Sequence, residues 1–247
     1  MAYTTIDDPT IYFNTVIYTG NGSTSHSITG VGFQPDFVWL KRRDAGAGHK
    51  LNDAVRGVNK QLVSNNTNAE DSNTDILTAF GTDGFTLGNN SDVNNGSGTF
   101  VSWNWKASGS TATNTDGNVN TTISANPTAG FSIISADPGS TSGELTLGHG
   151  LGTVPTMFIW RNRETAGQNW QVFHQATGTG LTILNSTAAK NTDVTFWNTH
   201  TTTLFKMTTH MYAQNKDFIG YCFSDRQGFS KFGSYTGNGN ADGTFVY

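Results

Sequence analysis

The sequence predicts an all-β protein: two tandem antiparallel β-sandwich units, jelly-roll or lectin-like, related by an internal repeat of about 120 residues. Three observations predict it. Charged residues are only 13% of the 247, against roughly 25% in an average soluble protein. Thr, Asn, Ser and 29 glycines take their place, which supplies turns and half-buried pleated surface. Aromatics reach 12%, far from the composition of a disordered chain. The third observation is the repeat itself.

"GFQPDFVWLKRRDAG" from Gly32 matches "GTVPTMFIWRNRETAG" from Gly152, with Pro35 on Pro155, Lys41 on Arg161 and Arg43 on Arg163. The register continues through "HKLNDAVRG" on "WQVFHQATG", "LVSNNTNAE" on "TILNSTAAK" and "TFVSWNWKA" on "DFIGYCFSD". It places His49 on Trp170 and Asp53 on His174. Four divisions follow: residues 1–106 as a first unit with an amino-terminal arm, 107–130 as a Ser/Thr/Asn/Gly-rich linker or loop with a short added strand, 131–232 as a second unit, and 233–247 as the opening hairpin of a truncated third unit or a strand swapped onto another unit.

Within the first unit, "NTVIYTG" and "HSITG" read as strands around the Gly-rich "NGSTS". "DFVWLKRR" is a continuous apolar run with a basic end, as a central strand requires. "HKLNDAV" and "QLVSN" are shorter candidates. "ILTAFGTDGFTLG" holds two strands about Asp83-Gly84, a strong hairpin signal. "GTFVSWNWKA" alternates, with Phe100, Ser102 and Asn104 on one face and Val101, Trp103 and Trp105 on the other.

The net charge of −4 offers no basic excess for phosphates, so nucleic-acid binding is not expected. No signal peptide, membrane span or intrachain disulfide is expected, and the lone Cys222 reads as a small buried hydrophobe. The carboxylates sit mostly in turn contexts, and none forms the facing pair a glycosidase needs. No zinc, phosphate-loop or nucleophile-elbow spacing occurs. No catalytic residue, cofactor or resident metal is nominated. The oxygen-rich loops "SDVNNGSG" and "NTDGN" are candidates for loop-bound calcium.

Trp103 and Trp105 match Tyr221 and Phe223 and are expected in the core. Trp170 and Trp197 have no aromatic counterpart and are the candidate sugar-stacking platforms. Arg42, Arg43 and Arg163 are candidate subunit contacts, or strand-end partners of Asp44 and Glu164. Phe245 and Tyr247 are further candidate subunit contacts.

The run "YFNTVIYTGNGSTSHSITGVGFQPDFVWLKRR", followed by "LTAFGTDGFTLG" and "GTFVSWNWKA", resembles tandem-repeat virion proteins of tailed bacteriophages, best known from marine phages. "FIGYCFSDRQGFSKFGSYTGNGNADGTFVY" resembles the end of the second unit and the start of a third. The resemblance implies a non-enzymatic, tail-fibre-like structural protein made in the host cytoplasm and located in the virion. Its partners would be other virion proteins, further copies of itself as a homotrimer or other homo-oligomer, and a host-surface glycan. A capsid decoration protein is the alternative, and a glycan depolymerase a third reading.

Overall fold

The protein is described from a computed structural model covering residues 4–246. It is nearly all β. The first nine strands are β1 (Phe13–Thr19), β2 (His26–Ile28), β3 (Phe37–Arg42), β4 (Lys50–Asp53), β5 (Lys60–Val63), β6 (Asp71–Ser72), β7 (Leu77–Gly81), β8 (Gly84–Leu87) and β9 (Thr99–Trp105). The rest are β10 (Ala112–Asn114), β11 (Thr121–Asn126), β12 (Phe131–Ala136), β13 (Leu145–Gly148), β14 (Met157–Asn162), β15 (Gln171–His174), β16 (Thr182–Ile183), β17 (Leu204–Met207) and β18 (Phe218–Phe223). One helical turn, α1 (Ser91–Asn94), lies between β8 and β9.

Two large antiparallel sheets form, ordered β1-β9-β3-β4-β5-β6 and β10-β11-β12-β18-β14-β15-β16. The register of β1-β9-β3 aligns Phe13, Trp105 and Phe37. That of β12-β18-β14 aligns Phe131, Phe223 and Met157. Strands that matched in sequence therefore hold matching places in the two sheets. Each large sheet carries a small one on its outer face: β2-β8-β7 on the first and β13-β17 on the second.

The layers follow from the alternation of the strands. Val38 and Leu40 of β3 pack outward against Ile28, Phe85 and Leu87 of the first small sheet. Ile134, Phe158 and Trp160 pack outward against Leu147, Phe205 and Met207 of the second. The opposite faces meet each other: Phe37, Leu51 and Leu62 share a core with Phe131, Ile159 and Tyr221. Four layers thus enclose three cores, and the middle core belongs to both large sheets. Phe37 stacks on Tyr221 with ring centres 4.1 Å apart.

Segment 107–130 contributes strands of its own. Its β10 and β11 extend the second sheet, because Val119 and Ile123 bury their side chains in the outer core. The Asp36 carboxylate fastens its start by accepting from the amides of Ala107 and Gly109. No strand forms in 233–246, where Asn238, Asn240 and Asp242 close local turns instead of pairing with a sheet edge. The Asp83-Gly84 hairpin forms as expected. Gly84 sits at φ 150°, and a Cβ there would lie 2.0 Å from the carbonyl oxygen of Ile28. Cys222 is fully buried, and burial pushes its thiol pKa up.

A buried ion network ties the large sheets together. Arg56 donates to Asp53 at 2.6 Å and to Glu70 at 3.0 Å, and its side chain and that of Asp53 are 0% exposed. The Tyr221 hydroxyl, from the second sheet, donates to Asp53 at 2.8 Å. Glu70 also accepts from Arg163, the residue after β14, at 2.9 and 3.0 Å. Burial alone would raise the Glu70 carboxyl, but the Arg163 hydrogen bond and the Arg56 and Arg163 charges outweigh it and hold its pKa down. These contacts pin Val63–Glu70 across the second sheet as a strap. Val63 and Asn68 give their carbonyls to the Trp170 indole and the Arg161 guanidinium, and Thr67 accepts from the Gly167 amide.

The outer core of the second sheet buries two imidazoles. Burial lowers the pKa of His149, and burial with the nearby His149 and Lys206 charges lowers that of His200 to about 3. Unfolded, both take a proton near the ordinary histidine value of about 6.5. Their stabilising contribution is therefore complete above about pH 6.5 and falls as pH drops below it, for His200 by about 1.4 kcal/mol per pH unit. Urea midpoints are expected to decline between about pH 6.5 and 4.5, and His200→Phe to flatten that decline.

Candidate functional site

The middle core is not closed along its whole length. Trp39 of β3 and Trp103 and Trp105 of β9 lie on the same face as Phe37 and Leu51, by the period of two. The second sheet covers Phe37 and Leu51 completely but leaves all three indoles half-buried. Trp39 and Trp103 face each other across the strand pair, edge to face, with ring centres 6.5 Å apart. With His49 and Trp105 they line a cleft of about 310 Å³. Ile17, one strand over on β1, is 64% exposed.

Trp105 continues into a second cleft of about 270 Å³, lined by residues of both large sheets. Its walls include Phe13, Phe131 and Phe223, and the loop residues Phe229 and Phe232 flank them. Phe13 lies 4.9 Å from Trp105 and Phe232 lies 5.5 Å from Phe223, centre to centre. The result is one aromatic seam shared by two clefts. Burial and the neighbouring Lys41 hold the His49 pKa below its usual value, so the ring is neutral at pH 7. Neither cleft wall contains a carboxylate, and Lys231, in the wall of the second, is paired with Asp225 at 3.6 Å. The seam can stack flat apolar surfaces; it holds no acid–base pair.

The nominated residues fall elsewhere. Trp170 and Trp197 are 0% exposed and cannot serve as surface platforms. Trp170 fills the middle core beneath the strap, and Trp197 packs against Phe173 and Phe205 in the outer one. Trp105, expected in the core, packs half-buried against the middle one, while Trp103 lines the open cleft. Arg163 is consumed within the chain by Glu70 and Asp217, and Lys216, not Arg163, pairs with Glu164. Arg42 pairs with Asp44 at 2.9 Å, as the strand-end alternative expects. Arg43 is exposed, as is Phe245 at 81%, while Tyr247 lies outside the described residues.

The loops considered for calcium spend their oxygens internally. Asp92 pairs with Lys50, Asn114 Oδ1 accepts from the Asp116 amide, and Asn118 Oδ1 accepts from Thr146. Among the described residues no group of three or more His, Cys, Asp or Glu could hold a metal ion. None of the described helices is long and apolar enough to cross a membrane.

No curated protein and no solved structure matches the chain. A family described as a domain of unknown function (DUF7483) matches residues 8–247, nearly the whole sequence, and the chain belongs to that family.

Proposed function

We propose that the chain is a non-catalytic structural module of a phage virion appendage, and that its aromatic seam holds the flat apolar face of a host-surface glycan. The observation that carries the binding half is the row of three half-buried tryptophans, Trp39, Trp103 and Trp105, on adjacent strands of one rigid sheet. Indoles left partly in water on a sheet face offer the C–H faces of a sugar ring a stacking surface, and neutral walls suit an uncharged saccharide. The structural half rests on the resemblance of the sequence to tandem-repeat virion proteins. It also draws on a design of two repeats of one sandwich unit, supported by the matching strand orders of the two large sheets. Arg43 and Phe245, both exposed, are the subunit contacts in this reading, with other virion proteins and further copies of the chain as partners.

Affinity electrophoresis against bacterial surface polysaccharides tests the proposal. A retarding polysaccharide is expected, and Trp39→Ala or Trp103→Ala each to weaken retardation about tenfold, the effect of losing about 1.4 kcal/mol of stacking. Retardation unchanged in both variants would remove the seam from the account. Release of reducing ends during the same incubation would overturn the non-catalytic half.

A further inference from the structure

The two large sheets have four outer edges, and three of them are blunt. β6, β10 and β16 hold two, three and two residues, and strands so short offer little for another chain to pair with. The fourth edge is β1, with seven residues. The Gly20 amide donates to the Gly98 carbonyl, and the Lys106 amide to the Tyr12 carbonyl. Bonds alternate along an antiparallel ladder, so the even residues of β1 bond to β9. The odd ones, Thr15, Ile17 and Thr19, turn their main-chain groups outward. Among the described residues only the Thr15 amide of this outward set finds a partner, Asn14 Oδ1 at 2.9 Å. All three residues are exposed, Ile17 at 64%.

The repeat shows that this edge can take a strand. β12 holds the place of β1 in the second sheet, and the Ser224 amide bonds to the Gly130 carbonyl. The odd residues of β12 therefore face β11, with Phe131, Ile133 and Ser135 opposite Asn126, Ser124 and Thr122. The matching edge of β1 is uncovered.

We propose that β1 pairs antiparallel with β1 of a second copy, about a two-fold axis at Ile17, joining the two first sheets edge to edge. The order Thr15-Val16-Ile17-Tyr18-Thr19 reads nearly the same in both directions. Centred on Ile17, the pairing sets the two Ile17 side chains opposite each other. Thr15 then meets Thr19 of the partner subunit, and Val16 meets Tyr18 of the partner subunit. Thr–Thr and aromatic–β-branched pairs are favourable across strands, and the two Ile17 residues exchange both of their outward bonds. No residue of β1 is charged, so two copies meet without repulsion and nothing on the edge wards off a strand. That symmetric order singles out the same strand of a second copy as the occupant. Thr15 lies opposite Trp103, on the face that Ile17 shares, so pairing would bring the tryptophan clefts of both copies onto one continuous face. The inference uses neither the glycan nor the virion reading.

Sedimentation of the intact chain from micromolar to millimolar concentration tests it, together with hydrogen exchange at both extremes. A monomer–dimer equilibrium is expected. The Ile17 and Thr19 amides should gain protection as the dimer forms, while those of Val16 and Tyr18 stay protected throughout. Ile17→Lys should abolish the dimer and leave the urea midpoint of the monomer unchanged, because it places like charges opposite each other at an exposed position. Ile17→Glu should do the same alone, and an equimolar mixture of the two variants should recover the dimer. The proposal is overturned by a monomer at every concentration, by a trimer, or by a dimer that survives Ile17→Lys. It is equally overturned by a mixture that stays monomeric, or by Ile17 and Thr19 protection that ignores concentration.

Discussion

Arg56→Ala is expected to lower the unfolding free energy by about 3–5 kcal/mol, a large share of the roughly 5–15 kcal/mol available to a folded chain. The guanidinium is wholly buried and serves four acceptors: Asp53, Glu70, the Leu51 carbonyl at 2.9 Å and the Tyr221 hydroxyl at 3.1 Å. Its removal leaves the Asp53 carboxylate enclosed with no cation beside it, and an uncompensated buried charge is far more costly than a lost surface pair. It also loosens the strap, because Glu70 then rests on Arg163 alone. Adding Asp53→Asn to Arg56→Ala should restore part of the loss, because the stranded charge disappears. Equilibrium urea unfolding of the single and double variants measures both effects. Additive losses would mean that the network is not the coupled unit its distances describe.

Phe37→Ala is expected to cost about 3–5 kcal/mol and to destabilise both large sheets equally. The ring touches Tyr221 and Phe131 of the second sheet as well as Trp105 of its own, with centres 4.1, 6.1 and 5.0 Å away. A cavity there removes packing from both sides of the same core. Hydrogen exchange should show amides of β3 and β18 accelerated by the same factor, within a single unfolding transition. Acceleration confined to the first sheet would show two independent sandwiches instead of four coupled layers.

Much of the fold was legible in the sequence because strand chemistry is local. The alternation of Phe100 through Trp105 set Phe100, Ser102 and Asn104 on one face and Val101, Trp103 and Trp105 on the other, and the strand pairing keeps that division. The matched segments also correspond to strands in matching sheet positions. The sequence could not show how those sheets meet. Trp103 and Tyr221 occupy matched positions, yet Tyr221 is 0% exposed and Trp103 is half-buried. Tyr221 is covered by Phe37 and held by Asp53 and Arg56 of the first unit, and the strap closes the neighbouring part of the same face over Trp170. Val63–Glu70 lies over the second sheet because Glu70 finds Arg163, whereas the residue matched to Glu70 is Lys190, which cannot make the reciprocal pair with Arg43. The second sheet's part of the face is closed while Trp39 and Trp103 stay half-buried, an outcome of long-range contacts and not of any local pattern. The unmatched Trp170 and Trp197 misled because burial depends on distant segments: Trp170 lies in the middle core beneath the strap, and Trp197 packs against Phe173 and Phe205 in the outer core.

The most direct test of the seam as the binding surface is to follow the indole signals of all six tryptophans while a retarding surface polysaccharide is added. The account predicts saturable shifts of Trp39, Trp103 and Trp105, with Trp160 and Trp170 unmoved in their cores. Shifts absent from those three, in a titration where the polysaccharide still binds, would contradict it.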